Sequence, residues 1–163
     1  MQDLANTVWS HATSRWVDVA LFAALVRAAE RCMCEFDTTG VANFMWGLAR
    51  IKGKDSHVIE PLGMAAAKCL KAQKLLDAKV DLQILAMLIW SSAQLQMLSK
   101  CLANTIVKET RARIHEFSPC SLASIVWASD ELGIQRLKLM QKVGAAASLL
   151  IEQFDSKQFL KFN

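Results

Sequence analysis

Arg27, Lys71 and Lys108 each stand 19 residues before a tryptophan, and Glu30, Lys74 and Arg111 each stand 16 before the same one. Cationic groups recurring at a fixed interval are suited to following a phosphate backbone, and Arg31, Lys68 and Arg113 stand near by. In the last stretch the two positions hold Ala145 and Ser148, with Lys142 close. A second set is polar and variable: Asn6, Asn43, Met87 and Ser124 three before the tryptophan, Gln2, Thr39, Gln83 and Cys120 seven before, Thr13, Arg50, Gln94 and Glu131 four after. These offsets share one helix face, and amide side chains there can hydrogen-bond base edges. A solvated helix face explains both sets as well, since Lys, Arg and short polar residues populate any such face.

Other reactive side chains lack the company that chemistry needs. His11, His57 and His115 have no carboxylate or cysteine partner at the spacing of a known site, and they read as helix-surface or turn residues. Cys32, Cys34, Cys69, Cys101 and Cys120 form no CxxC pair and have no histidine at zinc-ligand spacing. They read as reduced thiols in a reducing compartment, most of them small core residues. Asp130 takes a place held by Ala12, Ala49 and Ala93 elsewhere, which predicts a partly buried carboxylate, either a tuned acid or a locally hydrogen-bonded one, or else one exposed at the end of the array. No phosphate-binding glycine loop, nucleophile elbow or paired-carboxylate motif is present. The expectation is a protein that is not an enzyme, with no cofactor, no metal and no catalytic residue.

The elements that position these residues come from a repeat. Trp9, Trp46, Trp90 and Trp127 end the phrases LANTVW, VANFMW, LAMLIW and LASIVW, at steps of 37, 44 and 37 residues. Ala5, Ala42, Ala86 and Ala123 stand four before each tryptophan, and Leu4, Val41, Leu85 and Leu122 five before. Phe36, Val80 and Phe117 stand ten before, followed by Asp37, Asp81 and Ser118, residue types that cap helix N-termini. Self-similarity at this period predicts an all-α fold, an α-solenoid of two-helix repeats. The units fall at about 1–35, 36–79, 80–116 and 117–153, with the start of another at 154–163 marked by Phe154, Asp155 and Phe159. Both ends interrupt a unit, which predicts one helical-repeat array within a longer protein.

Each first helix should run from its cap to Ile51, Leu95 or Leu132, with a turn marked by Gly53 or Gly133 in two units. The second helices are predicted at Trp16 to Glu35, Ser56 to Leu76, Gln96 to Glu116 and Ile134 to Gln153. The long second unit should lengthen its turn and second helix, with Pro61 in that helix's first turn or breaking it. The tryptophans are predicted to be structural, filling grooves beside the small alanines.

Composition agrees with ordered helix: 53% hydrophobic, Gly 6 and Pro 2 in 163 residues. A net charge of +4 is too small for a polyanion-binding tail, so placement must carry any nucleic-acid role. The longest apolar candidate, Val17 to Val26, is broken by Asp18, which argues for a soluble protein with no membrane partner.

The segments FSPCSLASIVWASDEL and VDLQILAMLIWSSAQL fit F-[SD]-x-x-x-L-A-x-x-x-W-[AS]-x-A-x-L, with Val80 for Phe and Asp130 for Ala. This pattern resembles the octotricopeptide and heptatricopeptide repeat families, and the 37-residue step is more similar to the heptatricopeptide kind. The PPPEW element of octotricopeptide units is absent. The resemblance, which covers essentially the whole chain, implies a paired-helix solenoid of mitochondria or, alternatively, chloroplasts. It implies an RNA partner, a ribosomal RNA or a transcript, and neighbouring proteins of a ribonucleoprotein such as the organellar ribosome. No catalytic residue carries over from it. A protein-interaction scaffold remains the alternative expectation.

Overall fold

In the computed structural model, which describes residues 2–14, 18–51, 56–76, 79–97 and 100–134, the described residues are all-α. The helices are α1 (Gln2–Thr13), α2 (Val19–Arg31), α3 (Thr38–Arg50), α4 (Ser56–Leu75), α5 (Leu82–Gln94), α6 (Lys100–Ala112) and α7 (Pro119–Glu131). Tight 3-10 turns follow at Met33–Glu35 and Ile114–Glu116.

The caps lie where the sequence places them. Asp37 Oδ1 accepts from Gly40 N–H at 2.7 Å, Asp81 Oδ1 from Gln83 N–H at 2.7 Å, and Ser118 Oγ from Ser121 N–H at 3.2 Å. A cap of this kind contributes about 1 kcal/mol. The apolar residue before each cap, Phe36, Val80 or Phe117, is buried in one core with Val41, Leu85 or Leu122 at the fourth helical position. That pairing fixes the angle at which the chain enters the helix.

Element boundaries keep a constant register to the tryptophans. Helices α3, α5 and α7 are each 13 residues long and end four residues past their tryptophan, as α1 does. Helices α2, α4 and α6 each begin ten residues after one tryptophan and end fifteen before the next. Because α4 has 20 residues against 13 in α2 and α6, the longer step is absorbed entirely inside α4. Seven residues make about two turns at ~3.6 per turn, so later side chains keep their face.

The second helices are shorter than the sequence predicts. Helix α2 starts at Val19 rather than Trp16, because Asp18 is its cap and accepts from Leu21 N–H at 3.0 Å. Helix α6 starts at Lys100 rather than Gln96, because the chain must first reverse. Gln96 has φ 53° and Gly133, at the same place in the repeat, has φ 63°. Around Gln96, Met97 N–H reaches Ser92 O at 2.8 Å and Gln96 N–H reaches Ala93 O at 3.0 Å; Ile134 and Gly133 repeat both bonds to Ser129 and Asp130. These are paired Schellman closures, which need a left-handed residue. At their far ends α2 and α6 tighten into the 3-10 turns instead of running on to Glu35 and Glu116. Pro61 neither breaks α4 nor lies in its first turn; the helix continues past it, without the N–H that would have bonded the carbonyl of exposed His57. The predicted helix Ile134 to Gln153, apart from Ile134, and the further unit at 154–163 lie outside the described residues.

The most extensive packing joins α1 to α3, α3 to α5 and α5 to α7, so the first helices make one layer. Helix α4 packs on α3 and α6, and the turn after α2 packs on α4. Ala5, Ala42 and Ala86 are buried in the layer, as their size predicts. At Gly47 the approach is closest: an added Cβ would lie 2.5 Å from Val8 Cγ1 and 3.2 Å from Val8 O. Two second helices reach back to the residue before the cap. Arg113 Nη1 donates to Val80 O at 2.6 Å, and Cys69 Sγ donates to Phe36 O at 3.3 Å.

Candidate nucleic-acid interface

Arg27, Lys71 and Lys108 each lie four residues before the last residue of α2, α4 and α6. All three are exposed, and among the described residues none forms an ion pair. Since α4 packs on α6, Lys71 and Lys108 belong to neighbouring helices; α2 joins them through its 3-10 turn. Lys68 is exposed on α4, one turn before Lys71. Arg31 and Arg111 are exposed in the last turns of α2 and α6, where a basic side chain also complements the helix dipole. The side chain of Lys74, and Lys142 altogether, lie outside the described residues. Arg113 does not join this group. Its guanidinium holds Val80 O and the Glu116 carboxylate at 3.0 Å, which keeps Glu116 below the usual carboxylate range.

The polar positions of the first helices reach the surface in part. Asn6, Thr13, Thr39, Arg50, Gln83 and Gln94 are exposed, and Asn43 is half-buried. Gln83 Oε1 accepts from Ser121 Oγ at 3.2 Å, a link between α5 and α7. Ser124 departs from the expected outward row: it is buried and donates to Cys120 O at 3.0 Å.

The largest departure concerns the tryptophans. Trp90 is 7% exposed and fills a groove as predicted, but Trp9 is 44% and Trp127 41% exposed, and Trp46 is half-buried. Trp9 and Trp46 stack on each other with ring centroids 6.0 Å apart and 29° between planes, and Arg50 lies 5.6 Å over the Trp46 ring. The tryptophan therefore belongs to the same stripe as the polar residues. The signal was in the spacing: offsets of seven before, three before and four after share a helix face with the anchor itself.

Outside this stripe one histidine is tied into the fold. His11 Nε2 accepts from Asp18 N–H at 3.0 Å, and its ring stacks on Phe22 at 6.3 Å, tying α1 to α2. His57 and His115 are exposed. The expectation of core cysteines is corrected: Cys34 is exposed, Cys32, Cys69 and Cys120 are half-buried, and the Cys101 side chain is outside the described residues. Burial, and then the nearby Asp37 carboxylate, push the Cys69 thiol up. Asp130 is exposed, the second of the two expected outcomes, whereas Ala49 and Ala93 at the same place in the repeat are buried. Among the described residues no three His, Cys, Asp or Glu gather into a metal-holding group, and no helix is long and apolar enough to cross a membrane. No protein-family model matches the chain, and a search of curated proteins finds no match.

Proposed function

We propose that this chain is an α-solenoid of two-helix repeats, of the octotricopeptide and heptatricopeptide kind, that holds single-stranded or irregular RNA in an organellar ribonucleoprotein such as the mitochondrial ribosome. The observation that carries the proposal is the register of Arg27, Lys71 and Lys108, exposed at one place near the end of three successive second helices. Spaced cations of this kind contact phosphates and set position, while the variable stripe on the first helices lies near bases. No catalytic group is assigned.

Fluorescence anisotropy with an unstructured oligoribonucleotide at several salt concentrations tests this. Reversing Arg27, Lys71 and Lys108 to Glu together should abolish most binding, and single reversals should each flatten the salt slope by about one ionic contact. Unaltered affinity and slope in the triple variant would reject the proposal. A protein-interaction scaffold is favoured by a different observation: Met64, Leu75 and Leu76 of α4 and its end are 62%, 88% and 80% exposed, apolar side chains suited to a partner helix, Met64 and Leu75 on the same face as Lys68 and Lys71. Retained RNA binding in a Leu75→Ser, Leu76→Ser variant that loses its protein neighbours would assign that surface to scaffolding.

A further inference from the structure

We infer that Trp9 and Trp46, with Arg50, form a stacking platform for unpaired nucleobases; the inference rests on the RNA-binding reading and gives it a site. Trp46 carries the first part of the argument. Helices α1 and α5 flank α3 on both sides, yet Trp46 is only half-buried, so here the stripe reaches solvent inside the layer, whereas at the other inner anchor, Trp90, it is covered. The rings are already ordered as a stack, Arg50 over Trp46 at 5.6 Å and Trp46 against Trp9 at 6.0 Å. A planar cation and two indoles in series continue the geometry of stacked bases, and the 44% exposure of Trp9 leaves ring surface for the next layer. Asn6, one turn before Trp9, and Asn43, one turn before Trp46, put amides beside the rings, where a base edge would lie.

Trp127 supplies a control within the same molecule. It is exposed to the same degree, 41%, but its neighbours on the stripe and beside it are Glu131 and Asp130, both exposed. A carboxylate pair repels a phosphate backbone, so equal aromatic exposure there should not hold RNA.

The test uses the full chain, an unstructured single-stranded oligoribonucleotide and an abasic sugar-phosphate strand of equal length. Tryptophan fluorescence should be quenched by the first strand and not by the second. Trp9→Leu should weaken binding of the base-bearing strand roughly tenfold or more, the scale of one lost stacked base, and leave binding of the abasic strand unchanged. Trp127→Leu should leave both unchanged, and unchanged melting temperatures would show that each variant is folded. Equal RNA affinity in wild type and Trp9→Leu, or equal losses in Trp9→Leu and Trp127→Leu, overturns the platform while the RNA reading stands. If the wild-type chain binds neither strand, the platform and the reading beneath it both fall.

Discussion

The α1–α3 and α5–α7 pairs are built on the same phrase and finish it differently. At α1–α3 a glycine, Gly47, lets the helices meet at Val8, and the two indoles come out onto the surface as a stack capped by Arg50. At α5–α7 the equivalent of Gly47 is Ala128; Trp90 is buried while Trp127 is exposed, and side-chain bonds tie the helices, Ser121 to Gln83 and Gln96 Nε2 to Glu131 at 3.2 Å. The caps of α3, α5 and α7, the alanines and the helix ends four residues past each tryptophan recur; the outward stripe does not. The repeat thus fixes the scaffold and leaves the stripe free to be aromatic and cationic at one place and acidic at another.

Tryptophan truncation should separate the two pairs most strongly. Trp90→Ala should lose about 3–5 kcal/mol of stability as a large core deletion, while Trp9→Ala and Trp127→Ala lose about 1 kcal/mol; denaturant unfolding measures all three. Comparable losses at all three anchors would erase the distinction. Next, Gly47→Val should destabilise by about 1–3 kcal/mol, although a helical glycine is normally improved by a side chain, because Val8 and its carbonyl occupy the space. A gain in melting temperature would mean that α1 and α3 are not in close contact.

The cap residues sharpen the shared part of the comparison. Asp37→Ala and Asp81→Ala should each cost about 1 kcal/mol, with similar values on the two inner helices of the layer. Gln96→Gly should gain about 1 kcal/mol by relieving a left-handed backbone that Gly133 already satisfies, and a loss would show that the Glu131 contact outweighs the strain.

Thiol alkylation gives the smallest and simplest contrast. Exposed Cys34 should react well before Cys69, whose raised pKa keeps it protonated while it donates to Phe36 O. The stability Cys69 contributes is fully present below the ordinary thiol pKa and is lost as pH rises through its higher folded value. Equal alkylation rates near neutral pH would remove the bond.

Much of the scaffold was legible in the sequence because local chemistry decides it. Asp37, Asp81 and Ser118 announce caps by residue type, and the LAxxxW phrase announces which face meets a neighbour. The start of α6 was not legible, since a reversal through Gln96 uses a residue with no left-handed preference of its own, whereas α2 starts after Asp18, a residue type that announces a cap. The exposure of Trp9 depends on which helix covers a face, and a phrase repeated in one dimension does not say that. For the candidate site, the cationic register was visible as spacing, whereas the stacking of Trp9 on Trp46 required knowing that α1 and α3 lie side by side.

The central claim, RNA held by this helical array, is tested most directly by ultraviolet crosslinking of the native protein in intact cells, with sequencing of the attached RNA and mapping of the crosslinked peptide. The account predicts crosslinks dominated by ribosomal RNA, on peptides from α1 and α3. No crosslink above background would contradict it and leave the exposed surface of α4 as the basis for a protein scaffold.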